Sequence, residues 1–87
     1  MAFVVKQPNG RYCRFSTVTS CPSHYNMTEE DYLRINPHEG DLVLKNHLKP
    51  FVWVIESFSD ANMEHIDFLR ILANMYYYDG EMVVVCV

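Results

Sequence analysis

Apolar and polar positions alternate along the first eighteen residues in the way that predicts two paired strands. Residues 3–6 form a short strand-like run, and residues 8–10 follow with the Asn-Gly pair that most strongly marks a tight turn. In the second arm, residues 11–18, side chains fall alternately on two sides because a strand has a period of two. The pattern predicts a β-hairpin with Cys13 and Phe15 as core contacts.

The segment after the hairpin changes character and leads to a clear helix start. Residues 19–26 are polar turn-formers broken by Pro22, so they predict an irregular connection. The hydroxyl of Thr28 is suited to accept a hydrogen bond from an unpaired backbone N–H, and the acidic residues 29–31 suit the positive end of a helix dipole. Pro37 limits this helix, because the residue before a proline is disfavoured in helical geometry.

Met27 and Tyr32 occupy the N′ and N4 positions of a hydrophobic staple, which also marks the start of the first helix.

A second short helix is predicted between Gly40 and Pro50. Gly40 breaks the chain after the first helix, and Asp41 is the expected cap of a further turn or two. Pro50 ends this second helix and is suited to the first position of the next one.

The third and fourth helices are predicted with different clarity. Residues 50–58 contain strand formers, but their apolar residues recur at three- and four-residue spacing, so we favour a helix. Residues 60–77 form the longest amphipathic stretch, which we expect to supply most of the core. Its apolar stripe is Met63, Ile66, Leu69, Ala73 and Tyr76, widened by Phe68, Leu72 and Met75.

The last apolar run, residues 82–87, follows a turn at Asp79-Gly80 and predicts a strand buried on both faces. The alternative is an exposed edge that pairs with a second copy of the chain or with a partner strand. We expect an α+β fold in which the N-terminal β-hairpin and the C-terminal strand form a small antiparallel sheet. Two to four helices are expected to pack on one face of that sheet.

Length and composition fit a single globular domain over residues 1–87. The chain has 49% hydrophobic and 21% charged residues, which is ordinary for a folded domain. No apolar run is long enough to span a bilayer, and the N-terminus lacks the pattern of a signal peptide. Cys13, Cys21 and Cys86 are an odd number of cysteines without an export signal, so we expect reduced thiols in the cytoplasm.

Candidate catalytic chemistry is sparse. Cys13, Cys21 and His24 offer three metal ligands, but the paired spacing of a zinc site is missing. Cys21 and His24 could also serve as nucleophile and base, yet the sequence identifies no third orienting group. The carboxylates at residues 29–31 are accounted for by helix capping. We therefore expect no enzymatic activity, no metal and no cofactor.

Aromatic residues in the C-terminal half are candidate interface residues. The three consecutive tyrosines at 76–78 cannot all face inward, and Trp53 lies in a helix whose core stripe is already filled. Trp and Tyr are enriched in binding hot spots, so we predict that Trp53, Tyr77 and Tyr78 contact a partner. The alternative is that they close a small core with their polar tips in water.

The net charge of −4 is unevenly distributed. Residues 1–28 carry three basic residues and no acidic one, whereas residues 29–87 carry all eleven acids against four bases. Tyr12 and Arg14 are expected on the exposed face of the hairpin, and with Arg11 they could hold a phosphate and a nucleobase. The alternative is a solvated surface with no ligand.

Two stretches of sequence resemble a group of small uncharacterised proteins carried by phages and prophages of Gram-positive bacteria. They are residues 7–18, QPNGRYCRFSTV, and residues 21–32, CPSHYNMTEEDY. Residues 46–51 and 62–63 resemble the later part of that group. The resemblance covers about two-thirds of the chain, leaves out residues 76–87 and carries no active site to transfer.

This resemblance implies an inhibitor of a bacterial antiviral defence system, of the anti-CRISPR kind, that binds a host protein in the host cytoplasm. The acidic helical half, including Asp60, Glu64 and Asp67, would imitate nucleic acid before a basic host surface. Two alternatives stay open: an oligomeric sponge for a nucleotide immune signal, and a phage regulatory protein that binds nucleic acid directly. No membrane partner is expected.

Overall fold

A computed structural model describes residues 2–78 and 80–85 and confirms the predicted α+β class. The elements are β1 (Ala2–Lys6), β2 (Tyr12–Ser16), β3 (Cys21–Met27), α1 (Glu29–Ile35), α2 (Gly40–Asn46), α3 (Val52–Ser57), α4 (His65–Tyr77) and β4 (Val83–Val84). The strands form one antiparallel sheet in the order β1-β2-β3-β4.

The predicted hairpin joins β1 to β2 through a turn at residues 8–10. The N–H of Gly10 donates to the carbonyl of Gln7 at 2.9 Å. The φ of Gly10 is +89°, in the left-handed region that glycine adopts without steric cost. Cys13 and Phe15 are fully buried, as the alternation in the second arm predicts.

The prediction of an irregular segment at residues 19–26 is wrong, because β3 occupies most of it. This strand pairs with β2 on one side and β4 on the other. The β2–β3 register shifts twice. Pro22 lies beside one shift, where a missing N–H is tolerated, and Asn26, with φ of +58°, lies at the other. The polar side chains of Ser23 and Asn26 are buried because Ser23 is bonded to Arg14 of β2 and Asn26 is bonded to Gln7 of the hairpin turn.

Helices cover both faces of the sheet, whereas the sequence predicted that they pack on one face. Consecutive strand residues point to opposite faces. Val5 packs with residues of α3 and α4, while its neighbour Val4 packs with residues of α1 and α2. Tyr12, expected on an exposed face of the hairpin, is buried in the Val4 cluster for the same reason.

The first helix begins as predicted. Thr28 Oγ1 accepts from the N–H of Asp31 at 3.1 Å, and Asp31 Oδ2 accepts from the N–H of Thr28 at 3.0 Å, which forms a capping box. Met27 and Tyr32, the expected staple pair, are buried in one cluster. The helix ends before Pro37, as expected.

The second helix begins at Gly40, so the prediction of a cap at Asp41 is wrong. Asp41 lies in the first turn, where its carboxylate pairs with Lys45 at 3.0 Å. A Cβ atom on Gly40 would stand 3.1 Å from Leu33 Cδ2. Gly40 is therefore the point where α2 approaches the end of α1 closely.

The C-terminal elements confirm the predictions in part. α3 confirms a helix within residues 50–58, and α4 begins at His65, later than the predicted start at residue 60. β4 is short, and Val83 and Val84 are exposed, so the prediction of burial on both faces is wrong for these residues. Asp79, Cys86 and Val87, which belong to the predicted turn and strand, lie outside the described residues.

A polar network anchors the hairpin turn to the end of α4. The backbone N–H of Asn9 donates to the carbonyl of Met75 at 3.1 Å, and the side-chain amide of Asn9 donates to the carbonyl of Tyr78. Asn9 Nδ2 and Gln7 Nε2 also donate to Asn26 Oδ1, at 3.1 and 2.8 Å. Carbonyls at a helix end have no partner within the helix, so the turn caps α4 and fixes its position on the sheet.

Candidate functional site

The outer side of α3 and α4 exposes apolar side chains, and we call this surface the helical face. It consists of Val52, Ile55, Ile66, Leu69, Ala73 and Tyr76. The large side chains among them are between 45% and 51% exposed. Single exposed apolar residues are ordinary on protein surfaces, but a continuous group of them marks an interaction site.

A groove between α3 and α4 connects the two helices within the helical face. Ile55 of α3 and Leu69 of α4 both line the groove, which encloses about 450 Å³. Phe58 and Phe68 also line it, and their stacked rings lie 3.9 Å apart between centroids. Asp60 supplies a carboxylate to the lining. The groove therefore combines an aromatic and aliphatic surface with one acidic group.

α4 exposes apolar residues because its sequence is apolar on two different faces. The residues that the helix buries against the sheet are Phe68, Ile71 and Met75. The predicted stripe of Ile66, Leu69, Ala73 and Tyr76 repeats the same three- and four-residue spacing but lies on the outer side. The prediction that this stripe enters the core is therefore wrong for these four residues, whereas its first member, Met63, packs partly buried against the core, and Phe68 and Met75 are confirmed as core residues.

The three aromatic candidates from the sequence are exposed to different extents. Trp53 is 41% exposed, and its ring meets Phe3 edge-on at 5.7 Å between centroids. Lys49 Nζ lies 5.5 Å from the centroid of the Trp53 ring. Tyr77 and Tyr78 are 83% and 62% exposed. The exposure of this aromatic surface is confirmed, and its contact with a partner stays a prediction.

The three acidic candidates do not share one surface. Asp60 lines the groove of the helical face. Glu64 and Asp67 line a different cleft, which α4 forms with Tyr25 of β3 and with Val85, the residue after β4. All three carboxylate residues are exposed. Negative charge therefore borders the helical half of the molecule on two sides.

The structure does not bring Arg11, Tyr12 and Arg14 together. Tyr12 is buried, so its ring is not available to stack on a nucleobase. The guanidinium of Arg14 donates to Ser23 Oγ at 2.8 Å, within the sheet. Arg11 lines a separate cleft beside the carboxylate of Asp31. The three residues that were predicted to hold a phosphate and a nucleobase therefore do not face one common surface.

The cysteine and histidine candidates are placed in the sheet. Within residues 2–78 and 80–85, no three His, Cys, Asp or Glu side chains form a group that could hold a metal ion. Cys13 and Cys21 are free, buried thiols, and burial raises the pKa of Cys13. Burial, and after it the charge of Arg14, lowers the pKa of His24. Its Nδ1 lies 3.0 Å from Ser23 Oγ, a hydroxyl that donates to the backbone of β2.

Sequence reasoning missed Val52, Ile55 and Leu69 as surface residues. One feature of the sequence indicated their exposure: α4 has more large apolar residues than one buried face accommodates. Two competing stripes in one helix indicate that one of them is exposed or covered by something else. The same excess of apolar residues exists in α3, where Val54 alone is fully buried and Val52 and Ile55 are exposed.

Comparison with known proteins gives no relative: no protein-family model, curated protein or solved structure matches the chain. Among the helices in the described part of the chain, none is long and apolar enough to cross a membrane.

Proposed function

We propose that this protein is a non-catalytic binding domain that occupies a bacterial defence protein in the host cytoplasm through the helical face. The observation that carries the proposal is the half-exposure of Ile55, Ile66, Leu69 and Tyr76 on the outer side of α3 and α4, where Ile55 and Leu69 line one groove. Fully burying an exposed apolar side chain contributes about 1.5–3 kcal/mol, and a side chain that is already half-buried contributes about half of that. Covering the helical face would therefore supply much of the free energy of a protein–protein complex.

The helical face is supported by packed rings beneath it. Phe51 meets Tyr76 edge-on with 5.7 Å between centroids, and Phe58 stacks on Phe68. These contacts hold the Tyr76 ring and the ring pair that lines the groove before any partner arrives. Binding then loses little side-chain entropy, which favours affinity for a given contact area.

Charge indicates the kind of partner. Residues 50–78 contain four acidic residues, Glu56, Asp60, Glu64 and Asp67, and one basic residue, Arg70. A partner surface with an apolar centre and a basic rim would match both the helical face and this charge. Proteins that bind nucleic acid carry such basic surfaces, and the resemblance to phage proteins makes a host defence protein the first partner to test.

A pull-down with matched variants tests binding. Leu69→Asp places a charge on the helical face, and Leu42→Asp makes the same change at an exposed leucine of α2, on the other side of the sheet. We expect wild type and Leu42→Asp to retain one host protein in stoichiometric amount from the lysate of a defence-carrying bacterium, and Leu69→Asp to lose it. Equal retention by both variants, or no stoichiometric protein, would contradict the proposal.

Phage plating tests the inhibitory role separately. We expect the wild-type chain and Leu42→Asp, expressed in the defence-carrying host, to restore plating of a phage that the defence blocks. Leu69→Asp should not restore it. Unchanged restriction in the presence of the wild-type chain would exclude inhibition of that defence system even if a protein is bound.

A further inference from the structure

The two edges of the sheet differ in how the described residues cover them. At the β1 edge, the N–H of Lys49 donates to the carbonyl of Val4 at 2.9 Å. At the opposite edge, no strand among the described residues pairs with the outer side of β4. The N–H of Val85 donates inward to Ser23 at 2.8 Å. Because backbone groups alternate in direction along an antiparallel strand, those of Val84 point outward.

This β4 edge is only two residues long, but it lacks two residue types that commonly prevent strand addition. Val83 and Val84 are 39% and 60% exposed, and they lie on opposite faces of the sheet. Positions 80–85 contain neither lysine nor proline, the residues that commonly block an edge. Within residues 2–78 and 80–85, the edge therefore offers backbone groups without a strand partner beside apolar side chains.

A cleft on the α4 side of this edge is lined by carboxylates. Glu64 and Asp67 line it together with Tyr25 and Val85, and it encloses about 540 Å³. Arg70 also lines the cleft and lies 3.7 Å from Asp67. Both partners of this pair are largely exposed, so the pair is weak and leaves the cleft available to another cation.

A second acidic cleft lies just before β4 begins, where Met82 packs with the cluster on the other face of the sheet. Glu30, Asp31 and Glu81 line it, beside Arg11 and Met82. The two clefts together hold five carboxylates and two guanidinium groups. Negative charge therefore predominates on both faces of the sheet where β4 ends it.

We propose that an extended, basic segment of a partner protein adds to β4 as a fifth strand. Its backbone would pair with Val84, and its alternating side chains would enter the two acidic clefts. A second copy of this chain is a poorer occupant, because pairing two β4 edges would bring the carboxylates of both copies together. This edge is separate from the helical face, so the proposal stands or fails independently of the proposed function.

Peptide titration of the isotope-labelled chain tests strand addition. The probe is a nine-residue peptide in which pairs of consecutive lysines, whose side chains point to opposite faces of a strand, are separated by single threonines, and its matched control has glutamate in place of lysine. We expect the lysine peptide to shift the NMR signals of Val83 and Val84 and to slow hydrogen exchange of the Val84 amide. The glutamate peptide should do neither. Equal effects of the two peptides, or no effect at millimolar concentration, would overturn the proposal.

Three variants separate the backbone and charge contributions. Val84→Pro removes the outward N–H and should lower the affinity for the lysine peptide about 2- to 10-fold. The double variant Glu64→Gln/Asp67→Asn keeps the edge intact and should also lower this affinity about 2- to 10-fold. Glu56→Gln, on α3, is the control that should leave the affinity unchanged. Unaltered affinity in the double variant would contradict the predicted role of the clefts.

Two further outcomes distinguish this surface from the alternatives. Leu69→Asp should leave the peptide titration unchanged, because the helical face is a separate surface. Loss of peptide binding in Leu69→Asp would place the peptide there and overturn the proposal. Concentration-dependent changes at Val84 without any peptide would identify a second copy as the occupant, which also overturns it.

Discussion

The side chain of Gln7 is bonded to Asn26 through both of its polar atoms. Gln7 Nε2 donates to Asn26 Oδ1, and Gln7 Oε1 accepts from the backbone N–H of Asn26, each at 2.8 Å. Both residues are buried. The pair joins the hairpin turn to the irregular part of β3, and Asn9 extends the same network to the end of α4.

Loss of this pair should destabilise the protein. Gln7→Leu removes the acceptor for the buried N–H of Asn26, and an unsatisfied buried group costs about 1–3 kcal/mol. We expect a decrease of that size in the free energy of unfolding measured with urea. Lys6→Leu introduces the same side chain at the exposed neighbouring position and should change stability by less than about 0.5 kcal/mol. Equal stability of both variants would contradict a structural role for the pair.

The backbone conformation of Asn26 leads to a second prediction about stability. Its φ of +58° lies in the left-handed region, which costs an ordinary side chain about 1–2 kcal/mol. Asn26→Gly and Asn26→Ala lose the same side-chain hydrogen bonds, so their difference isolates the backbone. We expect Asn26→Gly to be the more stable by about 1 kcal/mol in thermal or urea unfolding. A more stable alanine variant would be inconsistent with the bulge.

Asp31 should give the capping box a pH dependence. The hydrogen bond from the backbone N–H of Thr28 is the main cause that lowers the pKa of Asp31. A carboxyl with a lowered pKa stabilises the fold above its unfolded pKa of about 3.9, and this contribution is lost as pH falls through the folded pKa. We therefore expect wild type to be more stable than Asp31→Asn at pH 7. The difference should shrink toward zero at strongly acidic pH, and a difference that persists there would argue against this cause.

The two apolar faces of α4 should respond differently to truncation. Ile71→Ala removes buried volume and should cost about 2–5 kcal/mol. Leu69→Ala removes a half-exposed side chain and should cost less than about 1 kcal/mol. Urea unfolding of the two variants measures both values. A larger loss at Leu69 would mean that the outer stripe is part of the core, as the sequence alone suggested.

Elements whose formation is governed by neighbouring residues were predicted from the sequence. The turn at Asn9-Gly10 and the helix start at Thr28 each depend on residues within a few positions, and both are confirmed. β3 was missed because its polar residues are satisfied by distant ones. Asn26 is hydrogen-bonded to Gln7, and Ser23 is hydrogen-bonded to Arg14. Because these partners lie outside the segment, its own polar sequence looks like that of a loop.

The candidate site was predicted only in part. Spacing alone does not decide which of two apolar stripes in α4 faces the sheet, because Leu69 and Ile71 both belong to helical repeats. The sheet selects Ile71 through Tyr25, Cys13 and Phe15, which lie far away along the sequence and pack in the same cluster. The exposure of Tyr77 and Tyr78 was predicted correctly because a helix end has too little buried surface for consecutive tyrosines.

Hydrogen exchange of the chain, with and without the host protein that it retains, locates the surface that the host protein covers. We expect slower amide exchange over Val52–Ser57 and His65–Tyr77 in the complex, because the helical face becomes covered. The α2 segment, Gly40–Asn46, should exchange at the same rate in both states. Protection in α2 with none in α3 and α4 would contradict the claim that the helical face binds the host protein.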